Sequence, residues 1–385
     1  MRTVYLPTLI MACCNGLIIP ILPVFALSLQ VSYDKVGWVL AAQGLGTLLC
    51  DVPAGILVRR LGHKRVMLVG ISLNVGGVLA LFWAQGLSEV LAWRFLSGAG
   101  SALWTISRHA YIADLFQAGE RGRSIAVLGG LGRVGTFAGP ALGGVVGAVL
   151  GLRMPFLVFA GLGTLCIAVV LLWIEDEESS EDGARGDSRI GAVLRTHYGP
   201  LLTAGSGQLC AQLIRAARHA IIPLYGAEVL GLALDEVGLI ISLSSAIDML
   251  MFYPAGVIMD RWGRKYAYVP SFLLQSFGMA MVPFAGDFGW LLVVSLVIGL
   301  GNGLGSGTMM TLGADLAPTE SRGEFLGLWR FVGDFGNAGG PLVVGHIAQI
   351  AGLSTAPLIV AGIGLLGAAI LGTLVPETLK RGGSR

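Results

Sequence analysis

Residues 53–64 read PAGILVRRLGHK, and residues 254–265 read PAGVIMDRWGRK. The two stretches stand 201 positions apart, and that offset holds without a gap from Gly37 opposite Gly238 to Gly151 opposite Gly352. In between it pairs Pro53 with Pro254, Gly98 with Gly299, Gly100 with Gly301, Asp114 with Asp315, Gly139 with Gly340 and Pro140 with Pro341. One register kept over 115 residues marks a tandem duplication, so the fold has to be two copies of one unit.

The nature of the unit follows from composition. With 55% apolar and 12% charged residues and a mean hydropathy of +0.78, the chain has too little polar surface to clothe a soluble globule. A membrane span needs about 20 apolar residues, and twelve such runs are expected, from 4–28 to 354–375, six in each copy. Because six is even, both copies run the same way through the bilayer, related by an axis along its normal. With the N-terminus inside, seventeen Lys and Arg fall on inner segments, against Lys35 and Arg153 outside. The positive-inside rule then puts both termini in the cytoplasm. The first span is expected to be retained, being too long for a signal-peptide core. Very short loops suggest a bacterial inner membrane.

The domain reading is a six-helix bundle at 1–174, a linker at 175–198 and a second six-helix bundle at 199–385. The linker opens with EDEESSEDGARGDSR, residues 175–189, which has almost nothing apolar to bury. Cys13, Cys14, Cys50, Cys166 and Cys210 all fall inside expected spans with no metal-like spacing, which indicates neither disulfides nor zinc.

The second copy of the opening motif has Gly256, Asp260, Arg261, Gly263, Arg264 and Lys265 at the spacing G-x-x-x-D-R-x-G-R-K. With the two parallel six-helix repeats, it resembles the major facilitator superfamily over essentially the whole chain. The resemblance implies an all-α membrane fold of twelve helices, and a gate in which the acid caps a neighbouring helix and braces the outward-facing state. The first copy, Gly55, Arg59, Arg60 and Gly62, departs from this, since Arg59 stands where the acid belongs. The motif glycines are expected to let the helix end approach its neighbour closely, and the basic cluster to attract anionic lipid headgroups.

Residues 132–144, GRVGTFAGPALGG, carry the most specific functional signal. Gly135, Gly139, Pro140, Gly143 and Gly144 are similar to the fifth-helix signature that goes with export by antiport in this superfamily. Glycines four apart make a flat seam for a close helix contact, and the proline frees a backbone carbonyl and permits a bend. Arg94 in RFLSGAG resembles the fourth-helix Arg linked to proton transfer, and GLIIPILP at 16–23 the proline-bearing first helix of drug exporters.

Charge inside the spans should carry the mechanism, because an ion in hydrocarbon is costly unless it lines a cavity or is paired. The arginines are Arg94, Arg108, Arg133, Arg215, Arg218 and Arg330, and the acids Asp51, Asp248 and Asp334. Arg133, Asp334 and Asp248 fall near the midplane. Arg108 and Arg330 lie within snorkelling reach of the inner interface, and Arg218 and His219 approach the outer one. Arg133 and Asp334 share one repeat slot with opposite charges. Asp248 and Asp334 are the first candidates for proton coupling and Asp51 the third, with a capping role for Asp51 left open. Arg133 and Arg215, with the two deeper acids, are the substrate-binding candidates. The deep charge is balanced rather than negative, which favours neutral or weakly acidic amphiphiles over cations. Glycine at 299, 301, 303, 305 and 307 should let the tenth span bend easily.

Two look-alikes fail. GLGRVG at 130–135 has dinucleotide-fingerprint spacing but follows no strand, and His109 and Asp114 share no repeat logic. An enzyme is not expected. The reading is a proton-coupled exporter working by a rocking motion of its two halves, with small molecule, protons and membrane lipid as partners. Neither cofactor, metal nor nucleic acid is expected, and a monomer is the default. Its rivals are a metabolite uniporter or importer, and a lipid flippase or scramblase on the same fold.

Overall fold

A computed structural model describes residues 2–115, 121–174, 195–196 and 198–379. The acidic stretch 175–189 of the expected linker lies outside them. The described secondary structure is helical throughout: α1 (Arg2–Ile18), α2 (Ile21–Ser28), α3 (Tyr33–Leu61), α4 (His63–Ala80), α5 (Leu87–Leu115), α6 (Arg121–Leu150) and α7 (Met154–Trp173), then α8 (Tyr198–Leu224), α9 (Leu234–Arg261), α10 (Lys265–Met281), α11 (Phe288–Leu304), α12 (Thr308–Leu316), α13 (Arg322–Ala351) and α14 (Ala356–Thr373).

Two expected spans are each broken in two. The first, read as one run at 4–28, bends by 42° between α1 and α2, where Pro20 withholds an N–H. The tenth stops at Leu304 and restarts at Thr308, with Gly307 left-handed at φ 75°, a conformation open to glycine at little cost. The easy bend expected of its glycines is a break.

Seven helical stretches, with α11 and α12 counted as one, or eight if the bent α1–α2 pair also counts as one, are long and apolar enough to cross a membrane by length and composition among the described residues. The sequence reading had twelve such runs. α4, α5, α8 and α13 fall short, and three of those four carry intramembrane charges: Arg94 and Arg108, Arg215 and Arg218, Arg330 and Asp334. Charged side chains lower the apolarity of the helices on which function was expected. Elsewhere large apolar groups stand exposed, among them Leu49, Val52, Leu172 and Tyr253, as acyl chains permit and water does not.

The helices gather into two compact units, α1–α7 together with Ile222–Ser242, and the described residues up to Ile221 together with those from Leu243. Within the first, α5 packs on α3 and α4, and α1 on α6 and α7; within the second, α10 packs on α11 and α14. The 201 register reappears as contact. Gly98 of α5 presses on the backbone of Gln43 in α3, and Gly299 of α11 on Ser244 in α9, the same two slots in the other copy. Gly100 meets Asn74 and Gly301 meets Gln275 in the same relation.

Candidate functional site

The glycine seam expected from 132–144 is present. A Cβ on Gly135, Gly139 or Gly143 would come within 3.0 Å of the α1 backbone at Ala12, Gly16 and Leu17 respectively. Gly336 and Gly340 of α13 press in the same way on Leu209 and Leu213 of α8. Beside Pro140, the backbone N–H of Ala141 donates to Ser242 Oγ at 2.8 Å. Gly144 faces the other way, onto Gly238 at the start of α9.

In the second unit the break in the tenth span anchors a polar cluster. Arg215 of α8 spreads its guanidinium over three acceptors: Nε donates to Asn302 Oδ1 at 2.7 Å, Nη1 to Gln212 Oε1 at 3.4 Å, and Nη2 to the Gly305 carbonyl at 3.0 Å. Asn302 turns its Nδ2 to Asp248 Oδ2 at 2.7 Å. Asp248 is 8% exposed, and Arg218, 8% exposed, interacts with it electrostatically. Asn302 therefore joins Asp248 to Arg215 through one amide. The sequence reading named both ends and missed Asn302, whose first-copy counterpart is Ser101. It also set Arg218 aside as shallow; the side chain is 8% exposed.

The other candidates lie elsewhere. Arg94, 5% exposed, donates from Nη2 to Gln43 Oε1 at 2.5 Å. Arg133 and Asp51 are half-buried in α6 and α3. Asp334 accepts from Nε of Arg330, one turn away, at 3.4 Å, in a partly exposed ion pair. Two of the arginines read as snorkelling are engaged: Arg330 in that pair, and Arg108 over the Trp104 ring at 5.4 Å.

The repeated basic turn works differently from expectation. Gly55 and Gly256, expected to permit close helix approach, have open space where a Cβ would project. The glycines that matter are Gly62 and Gly263, whose φ of 79° and 126° make the one-residue turn into α4 and the three-residue turn into α10. Asp260 is largely exposed and pairs with Arg264 of its own turn at 3.1 Å, in place of the helix cap that the resemblance implied. Arg264 also reaches Asp315 of α12 at 3.1 Å, and Thr378 Oγ1 donates to that same carboxylate at 2.8 Å.

The carboxylate of Glu377 accepts the first N–H groups of α10, from Arg264 at 2.9 Å and Lys265 at 3.0 Å, an anion at the positive end of a helix. Burial works to raise this carboxyl, but the backbone N–H groups of Leu379, Lys265, Arg264 and Thr378 outweigh it and hold it below the ordinary carboxylate range. In sequence the first copy departs from this latch at two positions: Arg59 stands in the slot of Asp260, and His63 in that of Arg264, the residue to which Asp260 and Asp315 bind.

Comparison with known proteins agrees with this architecture. The family model described as Major Facilitator Superfamily matches residues 4–214 and again 204–384. An uncharacterised MFS-type transporter of Methanocaldococcus jannaschii is 23% identical over 343 residues, covering 88% of each chain. The class B tetracycline resistance protein of Escherichia coli is 26% identical, covering 83% of this chain and 81% of its own. The quinolone resistance protein NorA of Staphylococcus aureus is 22% identical, covering 92% and 91%. Among solved structures, the nucleoside transporter NupG superposes with a TM-score of 0.77 at 14% identity, covering 97% of this chain and 99% of its own. Two matched repeats, a helical membrane fold and full-length transporter relatives lead to one assignment: the chain is an integral membrane protein belonging to the major facilitator superfamily of transporters.

Proposed function

We propose that the protein is a proton-coupled exporter of small amphiphilic molecules, neutral or weakly acidic, with twelve spans, both termini cytoplasmic and alternating access by rocking of its two halves. The observation that carries this reading is the buried Asp248, joined through Asn302 to Arg215 at a broken helix. A buried carboxyl tied to a cation and to unwound backbone is suited to exchange a proton for a substrate group. The glycine seam of α6 supports export, since it resembles the antiport signature and lies in close backbone contact with α1. Two full-length relatives are named for resistance to tetracycline and to quinolones, which makes those compounds the first to try. The charge balance of the spans supports a neutral or anionic cargo, to be held by Arg133 or Arg215.

Reconstitution into proteoliposomes tests the reading. Tetracycline and a quinolone should accumulate inside vesicles made acidic within, and a protonophore should collapse the accumulation. Downhill flux indifferent to the gradient would support the uniporter alternative. Headgroup-labelled phospholipid crossing the bilayer in place of drug would support a flippase.

A further inference from the structure

The polar cluster and the Glu377 latch belong to one unit, and a single short element connects them. α12 starts just past the break at Gly305–Gly307 and carries Asp315 near its other end, nine residues or about 13 Å in all. At its start, the Gly305 carbonyl is held by Arg215 Nη2 at 3.0 Å and by the Thr308 hydroxyl at 2.7 Å. Asp315, at its end, is held by Arg264 and Thr378.

We propose that Asn302 is a positioning residue which transmits the charge state of Asp248 to Arg215 and the Gly305 carbonyl, so that α12 acts as a lever from Asp248 to the Arg264 latch. The inference rests on the proton-antiport reading and names the regulation of its site.

The chemistry singles out Asn302. One planar amide donates to a carboxylate and accepts from a guanidinium at once, each at 2.7 Å. Aspartate has no donor for the acid, leucine has neither group, and glutamine is longer by a methylene. The contact is close-packed, because a Cβ on Gly303 would come within 3.0 Å of the Asp248 backbone, so α11 lies directly on the acid. Among the described residues, the charged and titratable groups about Asp248 include Arg218, with His219 next to it in α8, and Arg215, joined through Asn302. When Asp248 takes a proton, the amide loses a charge-assisted partner and Arg215 loses its compensating charge. The grip on Gly305, and with it the angle of α12, is then free to change.

Hydrogen–deuterium exchange on the full-length protein in lipid nanodiscs tests this. In the unsubstituted protein, exchange over residues 308–316 and 372–379, corrected for the intrinsic rate, should change about fivefold or more between mildly alkaline and mildly acid buffer. Asp248→Asn should hold it near the acid value in both. Asn302→Leu should remove the pH response although Asp248 is intact, and Asn302→Ala serves if the leucine variant does not fold. Residues 356–371, on the neighbouring helix, report any general loosening and should not move. An unresponsive unsubstituted protein, or a response that survives in Asp248→Asn, overturns the proposal. A response lost in Asp248→Asn but kept in the Asn302 variant removes the relay and leaves antiport standing. Failure of antiport itself shows separately, as absent gradient-driven flux.

Discussion

Gly144 and Gly238 meet backbone to backbone: a Cβ on the first would lie 3.1 Å from the Cα of the second, and one on the second 3.0 Å from the Cα of the first. They are not repeat mates, since the 201 offset sets Gly144 opposite Gly345 and Gly37 opposite Gly238. The signature glycine of α6 therefore serves a contact outside its own seam. Gly144→Ala should lower stability by about 1–3 kcal/mol through overpacking, read as a lower Tm in detergent. Gly132→Ala, where a Cβ meets nothing, should gain about 1 kcal/mol from helix propensity.

The latch has a defined pH window. The carboxyl of Glu377 is held below its ordinary value by the backbone N–H groups around it, so its stabilisation is fully present above the ordinary carboxylate range and is lost only as pH falls through the lowered value. Glu377→Gln should cost about 1 kcal/mol at neutral pH. The difference from the unsubstituted protein should be flat from neutral down to mildly acid pH and vanish in stronger acid. Paired thermal melts across that range check it.

Coupling should separate the two deep acids. Asp248 is buried and tied to Arg215 through Asn302, whereas Asp334 has a partly exposed ion pair with Arg330, of a kind usually worth under about 1 kcal/mol. Asp248→Asn is expected to abolish accumulation against a gradient while sparing substrate exchange, and Asp334→Asn to retain part of it. Counterflow and gradient-driven uptake, measured in the same vesicles, distinguish these outcomes.

Arg215→Lys should behave as a loss. A point charge cannot serve Asn302, Gln212 and the Gly305 carbonyl together as the planar fork does. A fall of about tenfold in substrate affinity corresponds to the 1.4 kcal/mol expected for one lost charge-assisted bond. Competition binding with matched cationic, neutral and anionic amphiphiles should rank cations last, with Arg133→Lys weakening the anions most. A preference for quaternary ammonium compounds would refute the assignment of a non-cationic cargo.

The first-copy turn gives a gain-of-contact test. Arg59→Asp alone supplies an acid without its observed partner, since Arg264 is matched there by His63. The double change Arg59→Asp with His63→Arg recreates the 3.1 Å pair of Asp260 and Arg264. It should shift the conformational balance more than either single change, as reported by cysteine accessibility on the two membrane faces.

The repeat and the glycine seams were legible because both depend on backbone approach, which glycine spacing encodes one-dimensionally. The offset pairs Gly98 with Gly299 and Gln43 with Ser244, so the contact in one copy has its match in the other. Asn302 was not legible, because it carries no charge to stand out in an apolar span and its partners come from α8 and α9. Its mismatch with Ser101 in the repeat was the available clue. Glu377 was missed because it lies past the last span, where a charge count notes it but no periodicity points it at Gly263. Gly55 and Gly256 misled the reading because a sequence motif does not say which way a helical glycine faces.

The seams have one more consequence. Where α6 lies on α1 and α13 on α8, the touching surfaces are backbone against backbone, with no rotamers to exchange, so each pair can only travel as a single beam. Among the described helices, compliance is therefore concentrated where the rod is interrupted, at Ile18–Ile21 and Gly305–Gly307. Side chains on the outward faces of these beams can be exchanged without altering how the beams move, so cargo preference is free to drift during evolution while the mechanical frame stays fixed.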